Sequence, residues 1–149
     1  MARILVYQGW RVTSELRECV VNLFVLIAEE GGTGGQFVEE VTPLVPKDKL
    51  EVLLGFPALA ERLRKPHDPF CALLVLGPSH EDLRRIISLR DFLKDARVLL
   101  VLGDESDETI ALAHRVLPTY ISELEDGTSG VVSVLKQLIK DARVREGER

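Results

Sequence analysis

The chain has 149 residues, of which 46% are hydrophobic and 29% are charged, and its formal net charge at pH 7 is −5. This length fits one domain with its own core, and the acidic balance argues against nucleic acid as a main partner, because phosphate binding needs a basic surface. No apolar run approaches the roughly 20 residues of a membrane helix, and the N-terminal apolar run is too short for a signal peptide. We therefore expect a single cytoplasmic domain over residues 1–149 with no membrane association.

The first part of the chain predicts one strand and one segment that fits two structures. Residues 3–7 (RILVY) form a short apolar run of strand formers, which a Gln-Gly pair ends. Thr13 or Ser14 can cap a helix in which apolar residues recur at helical spacing as far as Ile27. The interior of this segment is unusually apolar, so a strand over residues 23–28 is the alternative.

The rest of the chain predicts an irregular insertion followed by four β-α units. Residues 31–48 contain GGTGG and two prolines, and we expect a loop or insertion there with at most one strand or helical turn. Apolar runs predict strands at residues 49–54, 71–76, 97–102 and 119–122. Helices are predicted over residues 57–65, from Ser79, from Ser106 or Asp107 through Val116, and from Thr128 or Ser129. The charged tail at residues 141–149 is expected to be frayed.

Five strands alternating with five helices predict an α/β fold, a three-layer sandwich around a five-stranded parallel sheet of the flavodoxin-like type. In such a sheet, ligands bind beyond the carboxyl ends of the strands. We therefore expect any pocket to lie among the residues that follow the predicted strands. These residues are Gln8, Gly9, Trp10, Gly77, Gly103, Asp104 and Glu123.

Three stretches of the chain resemble the response-regulator receiver family. ILVYQG at residues 4–9 is similar to that family's first strand, and residues 55–79 are similar to its second helix, third strand and following turn. Residues 96–125 are similar to its fourth strand through its fifth, with Tyr120 where the family often has an aromatic residue. The resemblance covers more than half the chain and implies a receiver-type fold.

The positions that carry the receiver family's chemistry hold other residues in this chain. Aspartyl phosphorylation needs a carboxylate nucleophile, a divalent cation held by carboxylates, and a cationic side chain beside the phosphoryl group. The family's positions are an acidic pair, the phospho-acceptor aspartate, a hydroxyl residue and a lysine. The residues that match them here are, in that order, Gln8 with Gly9, Gly77, Leu102 or Gly103, and Glu123. The resemblance therefore implies a pseudo-receiver that cannot accept phosphate on aspartate.

Other local motifs suggest chemistry, and each has a simpler explanation. GGTGG lacks the Lys-Ser/Thr that a phosphate-binding P-loop places at its helix start, so a flexible loop is favoured. Ser79, His80 and Glu81 are adjacent at a predicted helix start, where capping is favoured over a nucleophile and its base. The acidic residues after the predicted strand 97–102 complement a helix dipole, and Asp104 is the best single candidate for a metal ligand. The histidines and cysteines share no metal-ligand spacing, and we expect no metal and no cofactor.

Two functional hypotheses follow from these observations. The first is a non-catalytic signalling or regulatory module that binds a protein partner or itself. The resemblance implies a surface for this over about residues 107–140, because receivers commonly pair through their fourth helix, fifth strand and fifth helix. The second is a small-molecule- or nucleotide-binding domain, or an enzyme, with its site at the carboxyl ends of the strands. A receiver-like domain cut from a longer regulator is a third alternative.

Overall fold

The structure is a computed structural model that describes residues 21–28, 33–65 and 71–147. Within these residues, five strands pair in parallel in the order β2-β1-β3-β4-β5. The strands are β1 (Asn22–Ile27), β2 (Leu50–Leu54), β3 (Cys71–Leu76), β4 (Arg97–Leu102) and β5 (Tyr120–Glu123). The α-helices are α1 (Thr33–Val41), α2 (Phe56–Leu63), α3 (His80–Ser88), α4 (Arg90–Leu93), α5 (Asp107–Arg115) and α6 (Ser129–Gly147). The predicted doubly wound α/β fold with a five-stranded parallel sheet is confirmed.

Helices cover both faces of the sheet and divide the core into two layers. One layer packs α2, α3 and α5 against the sheet, and the other packs α1 and α6 against its opposite face. Successive residues of β3 and β4 point alternately into the two layers, so all six residues of β3 are buried. This explains why the central strands are continuous apolar runs rather than alternating ones.

The described part of the segment that fitted two structures forms the strand β1. Its sequence, NLFVLI, lies between β2 and β3, and its four middle residues are buried. An unbroken apolar run satisfies helical spacing as well as strand spacing, and here the demand for a central strand buried on both faces decides between them. The helix expected as far as Ile27 is therefore wrong for the described residues of this segment. The predicted strand at residues 3–7 lies outside the described residues.

The segment expected to be irregular, residues 31–48, contains the helix α1. Phe37 and Val41 lie one turn apart on this helix, and both are buried against the sheet. Gly34 and Gly35, two of the glycines that suggested a loop, lie in the first turn of the helix, and Gly34 lies close against Ile27 of β1. Two 3₁₀ turns, Thr42–Leu44 and Lys47–Lys49, then lead into β2. The prolines therefore end a helix that core packing stabilises.

The last helix is longer than the sequence indicated. α6 runs over Ser129–Gly147, so most of the tail expected to fray continues the helix, and Ala142 is buried in the core. Among the described residues, no helix combines the length and the apolar character that a membrane span requires.

The first turn of α6 packs tightly against β5. A Cβ atom at Gly130 would overlap the hydroxyl oxygen of Tyr120, which is half-buried at the edge of the core. We predict that Gly130→Ala lowers the free energy of unfolding by about 1–3 kcal/mol, because an added methyl group forces the tyrosine out of place.

Gly35→Ala is the matched control, because Gly35 is exposed on α1 and an added Cβ meets no atom within 4 Å. This control is expected to leave stability unchanged or to raise it by up to about 1 kcal/mol, since alanine favours a helix over glycine. Urea titrations followed by circular dichroism measure both. Equal effects at the two positions would contradict the packing described here.

Candidate functional site

A pocket lies at the carboxyl ends of β4 and β5, the location expected for a site in this fold. Its volume is about 170 Å³. The seven lining residues are Leu102, Gly103, Asp104, Glu105, Glu123, Leu124 and Glu125. None of them is a cation, and four are carboxylates. We call this the acidic pocket.

Strand pairing explains why these residues meet. β4 and β5 are parallel neighbours, and Leu102 at the end of one pairs with Glu123 at the end of the other. A 3₁₀ turn over Leu124–Asp126 follows β5 at once. That turn is closed by the backbone N–H of Glu123, which donates to a carboxylate oxygen of Asp126 at 3.1 Å. The loop after β4 and the turn after β5 therefore form the two walls of the pocket.

Three glutamates bring their carboxylates together in this pocket. One carboxylate oxygen from each of Glu105, Glu123 and Glu125 lies within 4.8 Å of the others. The pKa of Glu123 is raised to about 7, chiefly by a hydrogen bond shared with the Glu105 carboxyl group, then by partial burial and by repulsion from Glu105, Asp126 and Glu125. At neutral pH the Glu123 carboxyl group therefore either holds a proton or can accept a cation.

Asp104 lines the same pocket but its carboxylate serves the loop. It accepts a hydrogen bond from the backbone N–H of Ser106 at 2.9 Å. Hydrogen bonding to Thr109 and then to Ser106 holds the pKa of Asp104 below its ordinary value. The group of three carboxylates that could hold a metal does not include Asp104, so its assignment as a metal ligand stays a prediction.

The structure brings three of the predicted pocket residues together, namely Gly103, Asp104 and Glu123. Gly77 follows the neighbouring strand β3, with φ at 62°, and its N–H donates to the Val101 carbonyl oxygen at 2.8 Å. It offers no side chain at the position that the receiver resemblance matched to a phospho-acceptor.

The remaining predicted pocket residues, Gln8, Gly9 and Trp10, lie outside the described residues. Because β1 is Asn22–Ile27, they do not follow the first strand of the described sheet. The residue that follows β1 is Ala28, and the sequence continues with Glu29, beyond the described residues. The assignment of the receiver family's acidic-pair position to residues 8 and 9 therefore stays a prediction.

Sequence reasoning counted Glu105 among the acidic residues after the predicted strand 97–102 without singling it out, and it missed Glu125. Their signal was the acidic sequence after each of two strands, GDES at 103–106 and ELED at 123–126. Carboxylates that follow neighbouring parallel strands meet at one edge of the sheet, so the pairing of β4 with β5 was the missing fact.

The Ser79-His80-Glu81 motif has a structural role. Ser79 caps α3, since its hydroxyl oxygen accepts the N–H of Asp82 at 3.0 Å and the Asp82 carboxylate accepts the Ser79 N–H at 3.1 Å. His80 joins α3 to α5, with Nε2 at 2.6 Å from the Thr109 hydroxyl and Nδ1 at 3.1 Å from a Glu108 oxygen. This order of hydroxyl, imidazole and carboxylate resembles a nucleophile triad, but Thr109 is only 1% exposed. Capping, not nucleophilic chemistry, is what this geometry supports.

Comparisons with known proteins add little to this description. No family model matches the sequence, and no curated protein matches it. Among solved structures, the chain is similar to the sugar isomerase domain of the RpiR transcription factor from Sphaerobacter thermophilus. The two are 10% identical with a TM-score of 0.48, and the match covers 92% of this chain and 79% of that one. A likeness at this level carries no argument about function.

The raised pKa of Glu123 makes stability depend on pH in a defined direction. A carboxyl group with a higher pKa when folded than when unfolded contributes stability below its unfolded pKa of 4.5, and this contribution is lost as pH rises towards 7. Glu123→Gln mimics the protonated form. We predict that it raises the melting temperature at pH 8 and changes it little at pH 5.

Glu61→Gln, at an exposed position on α2, is the control and is expected to change neither value. Thermal melts of the three proteins at both pH values measure the difference. The same stabilisation by Glu123→Gln at pH 5 and at pH 8 would contradict the raised pKa.

Proposed function

We propose that this chain is a non-catalytic regulatory module of receiver-like architecture that binds a protein partner through a surface centred on Leu117. One observation carries the proposal. Leu117 is 71% exposed and has φ at 61°, and it is the one described residue other than glycine with a positive φ.

Two features of Leu117 lower the stability of the folded monomer. It follows the last residues of α5, where its N–H donates to the His114 carbonyl oxygen at 3.1 Å, in a position that glycine commonly occupies. A left-handed conformation costs a leucine about 1–2 kcal/mol, and exposure leaves most of its side chain in water. A residue that lowers stability in both respects is best explained by a role outside the folded monomer.

Neighbouring residues extend the surface. Ile110 is 39% exposed on α5, one turn before His114, which is also exposed and precedes Leu117 by three residues. Ile110 and His114, four residues apart, share one side of the helix, and Leu117 follows the end of that helix. Ile110 and Leu117 both fall within residues 107–140, the region that the receiver resemblance implied for partner binding.

The absence of phosphotransfer residues supports the non-catalytic part of the proposal. Gly77 has no nucleophile at the end of β3, and Glu123 places a carboxylate at the end of β5 where phosphate would need a cation. A module of this kind would act through binding alone, or be switched by something other than aspartyl phosphorylation.

Leu117→Gly separates a binding role from a folding role. We predict that it raises the free energy of unfolding by about 1 kcal/mol, because glycine relieves the left-handed strain, and that the melting temperature rises by about 2–4 °C. Leu54→Gly is the matched control, since Leu54 is 73% exposed but lies in β2 with ordinary strand geometry. The control is expected to lower stability, because glycine weakens a strand.

Photo-cross-linking in cells of the source organism tests partner binding. A photo-reactive amino acid is placed at position 117 and, in a separate control protein, at the exposed position 61. We expect the probe at position 117 to form a defined protein adduct. Excess unlabelled wild-type protein should suppress this adduct, and excess unlabelled Leu117→Gly protein should not. Identical adducts at 117 and 61, or none at 117, would refute the proposal.

A second candidate function is cation binding in the acidic pocket, favoured by the three carboxylates that lie within 4.8 Å of one another. The negative pocket disfavours nucleotides, whose phosphates its carboxylates repel. We predict that Ca²⁺ or Mg²⁺ causes saturable ¹H–¹⁵N shifts at Gly103, Glu105 and Glu123, and that Glu105→Gln with Glu125→Gln abolishes them. A spectrum unchanged by about 10 mM of either ion would exclude this candidate.

A further inference from the structure

A second concavity lies at the opposite end of the sheet, where β4 and β5 begin. Its volume is about 260 Å³, and Leu117 stands on its wall. The lining residues that carry charge are Arg90, Asp91, Lys94 and Arg97. Three cations face one carboxylate in a protein whose net charge is negative. We call this the basic cleft.

The cations of the basic cleft are free to bind a partner. Arg90 donates to the Arg115 carbonyl oxygen at 3.3 Å and forms no ion pair with another residue that the structure describes. Lys94 and Arg97 are exposed, and neither forms an ion pair within 4 Å in the described part of the chain. The cleft therefore presents an apolar side chain, Leu117, flanked by unpaired positive charge.

The acidic pocket has the complementary arrangement. Gly103 and Leu124 line it without charge, Leu102 adds little surface because it is only 2% exposed, and the carboxylates of the pocket surround these residues. A dry cavity of about 150 Å³ holds a benzene molecule, so the pocket's 170 Å³ can take the four-carbon side chain of one leucine. Its carboxylates would then lie beside the cations that flank that leucine.

These two features cannot meet within one molecule. The basic cleft includes Arg97, the first residue of β4, and the acidic pocket includes Leu102, the last. Five residue steps of a parallel strand separate them by about 17 Å, and the body of the sheet lies between. Any contact between cleft and pocket must therefore join two copies of the chain.

We propose that the protein self-associates head to tail, with Leu117 of one copy inserted into the acidic pocket of the next and the cations of its basic cleft paired with the glutamates of that pocket. This inference rests on the proposed function in one respect, because it takes the Leu117 surface as a docking surface. The charge and shape of the basic cleft and the acidic pocket indicate that the occupant is a second copy of the chain.

A contact between two different surfaces leaves one free surface of each kind on every dimer. Growth can therefore continue into a ring or a filament, and the mean size rises with concentration. High salt screens the charge pairs at the rim and so weakens the contact, whereas the insertion of Leu117 does not depend on salt. An apolar anchor surrounded by charged residues is the usual composition of a small specific interface.

Sedimentation velocity from micromolar to millimolar protein, at low salt and at about 0.5 M salt, tests this assembly. The cleft variant is Lys94→Gln with Arg97→Gln, and the pocket variant is Glu105→Gln with Glu125→Gln. We expect wild type to grow with concentration at low salt, and each variant to raise the apparent dissociation constant by about tenfold or more. Lys136→Gln, at an exposed position on α6, is the control and is expected to behave as wild type.

Mixing the two variants gives the decisive result. The cleft variant retains an intact pocket and the pocket variant an intact cleft, so an equimolar mixture should form a one-to-one dimer that grows no further. Wild type that stays monomeric throughout, assembly that neither variant weakens, or a mixture that grows beyond the dimer would overturn the inference. Monomeric wild type with a specific adduct at position 117 would overturn self-assembly while leaving the proposed function intact.

Discussion

Burial of the central strands on both faces is the constraint on which the rest of the structure depends. Every residue of β3 must find an apolar neighbour above or below the sheet, and this requires helices on both sides. Parallel pairing then sends all carboxyl ends to one edge and all amino ends to the other. Polar and charged residues are excluded from the middle of the sheet, so they accumulate at its two ends.

Charge is divided between these ends. Carboxylates gather at the ends of β4 and β5, and a hydrogen bond with Glu105, partial burial and the neighbouring negative charges raise the pKa of Glu123 to about 7. Arg90, Lys94 and Arg97 lie at the other end, where Asp91 is the one carboxylate that lines the cleft with them. The division follows from the residues at and beyond the strand ends, because the buried parts of β4 and β5 carry no charge beyond their first and last residues.

The sequence predicted the fold well wherever an apolar run had clear boundaries. β3 and β4 match their predicted limits at every residue, and a glycine directly follows each apolar run. β1 was misjudged because a uniformly apolar segment fits both periodicities, and only its place between β2 and β3 decides. α1 was missed because GGTGG suggests a loop, while the burial of Phe37 and Val41 depends on tertiary packing.

The candidate site was predicted in part for similar reasons. Topology alone placed Gly103 and Glu123 at one edge, but the pairing of β4 with β5 was needed to bring Glu105 and Glu125 to them. Leu117 could not have been singled out, because the residue types around it do not indicate that its backbone is left-handed. Pro118, which commonly follows a helix end, was the one hint that the chain turns sharply there.

α5 gives the two ends of the molecule a common mechanical element. It begins beside the acidic pocket, where Ser106 caps it, and it ends next to Leu117 in the basic cleft. Nine residues of helix form a rod about 14 Å long, and the bonds of His80 to Thr109 and Glu108 fix its first turn to α3. A single helix therefore connects the loop after β4 to the opposite end of the sheet.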